Sequence, residues 1–473
     1  MIDLKNLTIE KAHESLKNGV FTCSELAQAY LDEIKKKNKE LNAYLEIFDD
    51  VLEQADLAQK KFADGTATEL TGIPFAIKDN ILIEGRIASA GSKILENYKA
   101  SYDATVIKDL KKVGVVFLGR TNMDEFAMGS STQTSAYGVT RNPLDPSRVP
   151  GGSSGGSAAA LAGDITLAAI GTETCGSVRE PSAFCGLVGL KPTYGALSRQ
   201  GIIAMGNSLD QVSTFGKCVR DAEIIFNLLS RYDKEDSTSV PDRLRKIEAK
   251  KNSKKIGVPW HLFKEGVDTE VQENFKQSLE KFKKVGYEIV DIELPHAQYS
   301  LAVYYIIMPA EVSTNLSRFD GIRYGYTSDG ENLLDVYKKS RAKGFGKEAR
   351  RRILLGTYVL SHGYYDAYYN KAIKVREKIK EEVMKAFENV DYILTPTAPM
   401  TAFKIGEKMD DPVAMYLCDI FSAPANLAGV PSIALPSGKN EEGMPFSIQF
   451  MASHFREDLL FEVGKKFEEI REK

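Results

Sequence analysis

A lysine and a serine stand at two places in the sequence where they could do nucleophilic or acid–base chemistry. Lys78 lies near the end of the apolar run in GIPFAIKDN, residues 72–80. A lysine there is buried more readily than one on a polar helix, and burial favours the neutral amine, which can accept a proton. Ser177 follows the strand-like run that ends in TETCGS, where N–H groups of successive turn-forming residues can converge on one point. Both segments are therefore candidate parts of a reactive site.

A third segment, GGSSGGSAAA at residues 151–160, has the composition of a flexible linker. It runs directly into an alanine-rich helical pattern at 157–162 and then into the apolar, strand-like run 165–171, which does not suit a linker. Glycines packed against ordered structure adopt backbone shapes closed to other residues, or allow close backbone approach. We interpret this segment as part of the folded site.

The same segment matches two other motifs. Its GGSSG fits the GxSxG pattern, but the α/β-hydrolase elbow follows a strand, whereas the loop-like RNPLDPSRVP (141–150) precedes it here. That interpretation is therefore rejected. The interpretation of this segment as a phosphate-binding nest stays an alternative, although no dinucleotide fingerprint with its acidic partner follows a strand here.

Composition and charge exclude several classes of function. The chain has 473 residues, 43% hydrophobic and 27% charged, which are ordinary globular values. A formal net charge of −3 argues against binding of a nucleic-acid backbone by this chain alone. The sequence has no run of about 18 apolar residues, so we expect no transmembrane helix and no membrane partner. The N-terminus lacks the apolar core of a secretory signal.

Metal and nucleotide motifs are missing from the sequence. The HExxH and GxxxxGK[ST] patterns do not occur, and no metal or triad motif surrounds any of the five histidines. The cysteines form no CxxC pair, which is typical of free thiols in a reducing compartment, so we expect a cytoplasmic protein. The five cysteines are Cys23, Cys175, Cys185, Cys218 and Cys418.

The hydrophobic pattern predicts an α/β fold. A helix is expected within residues 1–60, where apolar residues recur at helical spacing after a possible N-cap at Thr22 or Ser24. From about Gly72, strand-like and helical runs alternate, as in a mixed or parallel sheet covered by helices. Further along we predict helices at 268–285 and 411–428, a long helical region at 347–388, a charged solvated connection at 234–255, and strands at KIGVPW, YEIVDIEL, YILTPTAP, PSIALPSG and FSIQFMA.

Three segments together make the chain resemble the amidase signature hydrolases: GIPFAIKDN, PGGSSGGSAAA and GTETCGSVREPSAFCGLVGLKPT. The resemblance implies a Ser–cis-Ser–Lys triad. Ser177 would be the nucleophile, Ser153 the serine after a cis Gly152–Ser153 bond, and Lys78 the base. The backbone N–H groups expected to receive the oxyanion are those of Thr174, Cys175, Gly176 and Ser177.

The residue types suit this mechanism, with one departure. Serine is a poor nucleophile until its proton is removed, and neutral Lys78 can remove it through the Ser153 hydroxyl. Cys175 stands where the family most often has glycine, which leaves a cysteine nucleophile as an alternative and could narrow the pocket. Arg179 is expected to support the loop, and EFAMGSST (125–132) to form part of the pocket wall.

Other segments, such as LSRFDGIRYG and RRILLGTYVLSHGYYDAYYNKA, make the chain similar to one branch of this family, the glutamine-hydrolysing A subunits of tRNA amidotransferases. By this resemblance Arg352 binds the α-carboxylate of glutamine and Asp419 its α-ammonium. An arginine fork and an acidic side chain match those two groups. Tyr305 would line the pocket, with Tyr304 as the alternative. Arg352 could otherwise be a helix-surface cation, and Asp419 a helix cap.

The same resemblance implies partners. The ammonia would pass to a B subunit that amidates Glu-tRNA(Gln) or Asp-tRNA(Asn) with ATP and Mg²⁺, and a small C subunit would hold A and B together in a heterotrimer. The mischarged tRNA would bind mainly through the B subunit. We expect no cofactor and no metal in this chain.

The resemblance extends over essentially the whole chain and therefore implies one amidase domain, residues 1–473, with one large twisted mixed sheet flanked by helices. Within it we distinguish an N-terminal helical segment (about 1–60), a signature core (about 70–230) and a further α/β region (about 256–473). Two rival functions stay open: a stand-alone amidase acting on small or xenobiotic amides, and a non-catalytic scaffold.

Overall fold

The fold is built on one mixed β-sheet. The computed structural model describes residues 2–245, 253–263 and 266–472. Within those residues the strands are β1 (Tyr44–Ile47), β2 (Pro74–Lys78), β3 (Val116–Thr121), β4 (Ala168–Glu173), β5 (Val188–Lys191), β6 (Gln211–Gly216), β7 (Lys255–Val258), β8 (Glu288–Asp291), β9 (Tyr392–Pro396), β10 (Ser432–Lys439) and β11 (Pro445–Met451). They form an 11-stranded sheet in the order β1-β3-β2-β4-β6-β5-β10-β11-β9-β7-β8.

Helices flank this sheet, and the predicted α/β class with one large mixed sheet is confirmed. In the described residues they are α1 (Ile9–Lys17), α2 (Cys23–Leu41), α3 (Val51–Ala63), α4 (Thr105–Val113), α5 (Gly155–Ala162), α6 (Arg179–Cys185), α7 (Val219–Leu229), α8 (Asp242–Arg245), α9 (Thr269–Lys284), α10 (Ser300–Asn315), α11 (Leu333–Gly344), α12 (Lys347–Val359), α13 (Lys371–Ala386), α14 (Pro412–Tyr416), α15 (Ala423–Ala428) and α16 (Glu457–Ile470).

Local sequence signals account for α2. Of the two predicted candidates, Thr22 is its N-cap, and it forms a reciprocal capping box with Glu25. Such a cap stabilises a helix by about 1 kcal/mol because it satisfies backbone donors that lack an intrahelical partner. The apolar face, which includes Leu26, Tyr30 and Ile34, is buried in the main core.

Two of the predicted long helices are interrupted. The 347–388 region consists of α12 and α13 with a π-helical turn, Tyr365–Asn370, between them, and Gly363 before that turn has a φ of +84°. The 411–428 region divides into α14, a 3₁₀ turn at Leu417–Asp419, and α15, which has a proline in its first turn. Proline and left-handed glycine both end helical hydrogen bonding. The long helical region predicted at 347–388 is therefore helical with one interruption, and the single helix predicted at 411–428 is wrong.

The charged connection predicted at 234–255 is only partly described. Its described part contains the short helix α8, whose four residues are all at least partly exposed. Residues 246–252 lie outside the described residues.

The strand pairing brings the reactive segments together. β2 is buried along all five residues and pairs in parallel with β3 and with β4. Carboxyl ends of parallel strands meet at the same edge of a sheet, so Lys78 at the end of β2 lies beside the residues that follow β4. Those residues include Ser177. The sheet register thus joins segments that are distant in sequence.

A close crossing of α10 and α12 forms another part of the site. A Cβ atom at Gly356 would lie 1.8 Å from the carbonyl oxygen of Pro309, so only glycine permits this approach. Tyr305 stands one turn before Pro309, and Arg352 one turn before Gly356, so the crossing brings these two side chains together.

Replacing Gly356 with alanine should disturb this crossing. In a helix the change otherwise stabilises by about 1 kcal/mol, but here the added methyl group meets a carbonyl oxygen, and overpacking costs about 1–3 kcal/mol. We expect a lower melting temperature and a higher KM for the substrate, because Arg352 moves with its helix. Thermal unfolding and steady-state kinetics measure both.

The matched control is Gly206→Ala, since a Cβ there would have 3.5 Å to its nearest neighbour, a carboxylate oxygen of Glu311. If the two variants unfold at the same temperature and show the same KM, α10 and α12 tolerate separation and the expectation is wrong.

Candidate active site

Lys78 is fully buried, and its amine lies among neutral oxygen acceptors. Its Nζ is 2.8 Å from Ser153 Oγ and 3.0 Å from the carbonyl oxygen of Thr172. Burial lowers the pKa of Lys78 to about 7, because the charged ammonium has lost its water. Three carboxylates act against that shift, those of Asp124, Asp210 and Glu173. A neutral amine that donates to Thr172 can accept the proton of the Ser153 hydroxyl.

The glycine-rich segment is packed into the core, so its interpretation as part of the folded site is confirmed. The Gly152–Ser153 peptide bond is cis, as the resemblance implied. The N–H of Gly152 donates to Glu180 at 3.1 Å, and the carbonyl of Ser153 accepts from Asp124 N–H at 3.2 Å. A Cβ at Gly152 would lie 2.1 Å from the Asp124 carboxylate, so no side chain fits there.

Four consecutive or near-consecutive backbone donors of this segment, those of Gly152, Ser154, Gly155 and Gly156, have protein partners. Ser154 N–H donates to the carbonyl of Ser177 at 3.1 Å, Gly155 N–H to Thr132 Oγ1 at 3.1 Å, and Gly156 N–H to a backbone carbonyl. A phosphate nest needs such donors free to face an anion. The paired donors give the phosphate-binding alternative no support, and the Ser154 N–H instead joins this segment to the Ser177 loop.

The turn that presents Ser177 is closed by Glu173, the last residue of β4. The Glu173 carboxylate accepts from the N–H groups of Val178 at 3.1 Å and Arg179 at 3.0 Å. Arg179 is fully buried, forms an ion pair with Glu173, and also donates to the carbonyl of Ser422. Arg179 thus supports the loop, as expected from the sequence.

The predicted oxyanion donors are unpaired. Within the described part of the chain, the N–H groups of Thr174, Cys175, Gly176 and Ser177 donate to no protein acceptor. Buried backbone donors are normally paired, so four consecutive unpaired ones are unusual. An oxyanion hole requires free donors of this kind beside the nucleophile. Gly176 has a φ of +94°, and a Cβ there would meet Asp419 Oδ1 at 2.7 Å.

A cation and an anion both contact Tyr305. Arg352 is only 3% exposed, so it is not a helix-surface cation. Its guanidinium lies 5.1 Å from the ring centroid of Tyr305 and 5.2 Å from that of Tyr416, and the two rings stack at 3.9 Å. Glu348 holds the guanidinium through Nε at 2.7 Å and accepts from the Tyr416 hydroxyl at 2.9 Å.

Asp419 supplies the negative charge. Its Oδ2 accepts from Ser130 Oγ at 3.3 Å and from the Tyr305 hydroxyl at 3.4 Å. Its Oδ1 is buried and, among the described residues, has no hydrogen-bond partner. Burial raises the pKa of Asp419, while Arg352 opposes that rise. Since a buried carboxylate oxygen without a donor is costly, this atom marks a place for a ligand's N–H group.

The two tyrosine alternatives differ in their contacts. Tyr305 contacts both Arg352 and Asp419, whereas Tyr304 packs edge-on against Tyr305, with ring centroids 4.9 Å apart, inside the apolar cluster behind the pocket. The geometry therefore favours Tyr305 as the pocket residue.

Cys175 is a neutral thiol here. It is fully buried, and burial together with the nearby negative charge of Asp419 raises its pKa well above the usual value. The reactive form of cysteine is the thiolate, which this environment disfavours. The cysteine-nucleophile alternative therefore has no support from the geometry.

Sequence reasoning missed several residues that complete the pocket. Glu348 and Tyr416 hold Arg352, and Ser130 holds Asp419. Ser130 lies in the 125–132 segment that was expected to form a wall, but no signal distinguished it from its neighbours. A cavity of about 220 Å³ lies between α12 and α14 on the Arg352 side of the site, lined among others by Ser131, Lys347, Glu348, Arg351, Arg352, Lys408 and Tyr416.

Neither a metal cluster nor a membrane span occurs in the described residues. No group of three or more His, Cys, Asp or Glu side chains there could hold a metal ion. No helix in the same residues has both the length and the apolar character that a membrane span requires.

The family model named Amidase matches residues 25–461 of this chain. The chain belongs to the amidase family. A curated relative of this amidase is the A subunit of the glutamyl-tRNA(Gln) amidotransferase of Syntrophus aciditrophicus, 47% identical over 99% of this chain and 98% of the relative. The family prediction is thereby confirmed.

Solved structures agree with that result. The crystal structure of the glutamyl-tRNA(Gln) amidotransferase A subunit from Thermotoga maritima matches the amidase with a TM-score of 0.79 and 40% identity, over 98% of this chain and 94% of that one. The peptide amidase PAM, solved with the inhibitor chymostatin, matches with a TM-score of 0.84 but 26% identity, over 99% and 98% of the two chains. The whole amidase fold is therefore shared with both.

The pH dependence of the amidase should follow Lys78. The base must be neutral, and Lys78 is protonated below its pKa of about 7, so kcat/KM should rise with pH through about 7 and level off above it. The raised pKa of Asp419 acts in the same direction if the carboxylate must be charged. Initial rates between about pH 5.5 and 9 measure the profile.

Lys78→Arg supplies the companion variant, because arginine stays protonated at every pH in that range. We expect a loss of about 10²–10⁴-fold in rate, the usual size of a general-base contribution. A flat wild-type profile, or an active arginine variant, would show that Lys78 is not the base.

Proposed function

We propose that this amidase is a glutamine-hydrolysing A subunit, which supplies ammonia for the transamidation of Glu-tRNA(Gln) or Asp-tRNA(Asn). One set of contacts carries the proposal: the buried Arg352 and Asp419, whose Oδ1 is unpaired among the described residues, both contact Tyr305, and Asp419 lies against Gly176, the residue before Ser177. The similarity to curated A subunits over nearly the whole chain supports it.

The pocket suits a free amino acid. Glutamine presents an α-carboxylate, which the planar guanidinium of Arg352 matches, and an α-ammonium, which satisfies Asp419 Oδ1. Gly176 lies against Asp419, and the two residues bring the ammonium site next to the nucleophile turn. The side-chain amide of the substrate would then reach Ser177 and the free N–H groups of residues 174–177.

The first chemical step forms an acyl-enzyme. Neutral Lys78 takes the proton of Ser153, Ser153 takes that of Ser177, and the Ser177 oxygen attacks the amide carbon. The described residues show no hydrogen bond between the two serine hydroxyls, so this link has to close when substrate is bound. The oxyanion is stabilised by the unpaired N–H groups, and the proton returns to the leaving nitrogen as the C–N bond breaks and ammonia departs.

The second step releases glutamate. Water loses a proton to the same relay and attacks the ester carbon, and Ser177 recovers its proton as the C–O bond breaks. Lys78 ends neutral, as it began, so the cycle needs no other proton carrier.

Partners and cofactors form part of the proposal. We assign the binding of ATP and Mg²⁺ to a partner B subunit, through which the mischarged tRNA also mainly binds. A C subunit would hold A and B together. This chain itself would use no cofactor. All five of its cysteines are free thiols, which suits the cytoplasm, where tRNA-dependent synthesis takes place.

The rival functions fit the site less well. A stand-alone amidase acting on neutral amides has no use for a buried Arg352 and an unpaired carboxylate, and the peptide amidase match has the lower identity. A scaffold has no need of a lysine with a pKa near 7 beside four unpaired backbone donors.

Activity with and without partners tests the function. We expect the assembled A, B and C subunits to hydrolyse glutamine and, when ATP is present, to amidate mischarged tRNA. With glutamine as the nitrogen source, the Ser177→Ala complex should do neither. Free ammonia should restore amidation by the Ser177→Ala complex. Rapid partner-free hydrolysis of bulky amides, with no effect of the B and C subunits, would instead establish the stand-alone enzyme.

Asp419→Asn tests recognition of the α-ammonium. Hydrogen bonds to charged groups contribute about 1.5–3 kcal/mol, so kcat/KM for glutamine should fall about 10–100-fold. Glutaramate, which is glutamine without its α-amino group, is the matched substrate, and its lower kcat/KM should be unaffected by the change. Equal losses for both compounds would mean that Asp419 holds the loop instead.

A further inference from the structure

Glu125 is a buried carboxylate that takes no part in the proposed reaction. It is 2% exposed and is the first residue of the 125–132 segment. Both of its oxygens accept from the N–H of Gly346, at 2.9 and 3.1 Å, and one also accepts from Ser92 Oγ at 2.5 Å. A carboxylate is costly to bury unless its oxygens have donors. The donors that Glu125 has found join it to α12.

Gly346 is the N-cap of α12, the helix that presents Arg352. The first backbone N–H groups of a helix lack an intrahelical acceptor, and a negative charge beside them interacts favourably with the helix dipole. Glu125 supplies the acceptor and the charge from 221 positions away in the sequence. A Cβ atom at Gly346 would lie 2.5 Å from a Glu125 oxygen, so a side chain there would push the carboxylate away.

The path from Gly346 to the pocket is short. Glu348 stands in the first turn of α12, two residues after Gly346, and holds the Arg352 guanidinium through Nε at 2.7 Å. On the other side of Arg352, Gly356 seats the helix closely against α10. α12 is therefore anchored on both sides of Arg352, and the anchor at Gly346 is the polar one.

The backbone next to Glu125 supports the same contact. Phe126 and Ala127 have φ values of +49° and +62°, a left-handed conformation that bulky residues rarely adopt. The Phe126 ring packs against Phe345, the residue before Gly346, with centroids 5.7 Å apart. Backbone strain of this kind persists only where the surroundings fix it, and it is concentrated at functional sites. An apolar contact thus lies beside the polar one.

The side chain of Glu125 acts on α12 more directly than on the Asp419 side of the pocket. Its backbone N–H donates to Thr134 Oγ1 at 3.0 Å, in the loop that also contains Ser130. That bond belongs to the backbone and survives any substitution of the side chain. The hydrogen bonds of the carboxylate go to Ser92 and Gly346 instead.

We propose that Glu125 is a positioning residue for substrate recognition: through Gly346 it fixes the first turn of α12, and thereby the Arg352 guanidinium that receives the α-carboxylate. The inference rests on the proposed function, because Arg352 has this role only if a free amino acid is the substrate. A residue that served folding alone would affect all ligands alike, whereas a positioning residue for Arg352 affects only ligands with an α-carboxylate.

Glu125→Gln tests this role, since the amide has the same shape but no charge and only one acceptor oxygen. The assembled A, B and C subunits carry Ser177→Ala, so that no ligand is hydrolysed. Binding is measured by ligand-observed NMR at about pH 8, where the carboxyl group of Glu125, whose pKa burial raises to about 7, is charged. Three ligands are compared: glutamine, glutaramate, which lacks the α-amino group, and γ-aminobutyramide, which lacks the α-carboxylate.

We expect Glu125→Gln to weaken glutamine and glutaramate about 10-fold each, and γ-aminobutyramide less than about twofold, because only the first two reach a displaced Arg352. Gly346→Ala should give the same pattern, since its methyl group meets the Glu125 oxygen. Glu457→Gln is the matched control. Glu457 is 4% exposed and accepts from the N–H of Thr193 at 2.7 Å, and its substitution should leave all three dissociation constants unchanged.

The positioning role is overturned if Glu125→Gln and Gly346→Ala bind glutaramate like the parent complex, or if all three ligands weaken equally. A selective loss of γ-aminobutyramide would also overturn it, because Glu125 would then act on the Asp419 side. If the parent complex with Ser177→Ala alone binds none of the three ligands, the proposed function itself fails, and the role of Glu125 fails with it.

Discussion

The site depends on keeping the Lys78 amine out of water. Loss of hydration lowers its pKa to about 7 even though three carboxylates act in the opposite direction, so desolvation is the larger effect. The sheet provides that environment, because β2 is buried along its whole length between two parallel neighbours. A lysine on an edge strand would stay charged and could not relay a proton through Ser153.

Close backbone approach is the second requirement. At Gly152, Gly176 and Gly356 a methyl group would lie 2.7 Å or less from a neighbouring oxygen atom. Each of these glycines therefore allows two parts of the site to come closer than any side chain permits: the Ser153 segment to Asp124, the nucleophile turn to Asp419, and α12 to α10. Glycine is used here for proximity more than for flexibility.

Arg352 and Asp419 are each held in place by their own set of contacts. Glu348 and the two tyrosine rings hold Arg352, while Ser130 and Tyr305 hold Asp419 and leave one oxygen free. Such preorganisation lowers the entropy lost when a substrate with two charges binds.

The sequence by itself determined the α/β pattern, a helix cap at Thr22 or Ser24, and the three segments that contain Lys78, Ser153 and Ser177, since each is a local signal within a few residues. The tertiary structure decided how the 347–388 and 411–428 regions break, that Tyr305 rather than Tyr304 faces Asp419, and that Glu348, Tyr416 and Ser130 complete the pocket. Those contacts join residues separated by up to 289 positions. Local periodicity in the sequence cannot predict such contacts, because packing of the whole chain brings these residues together.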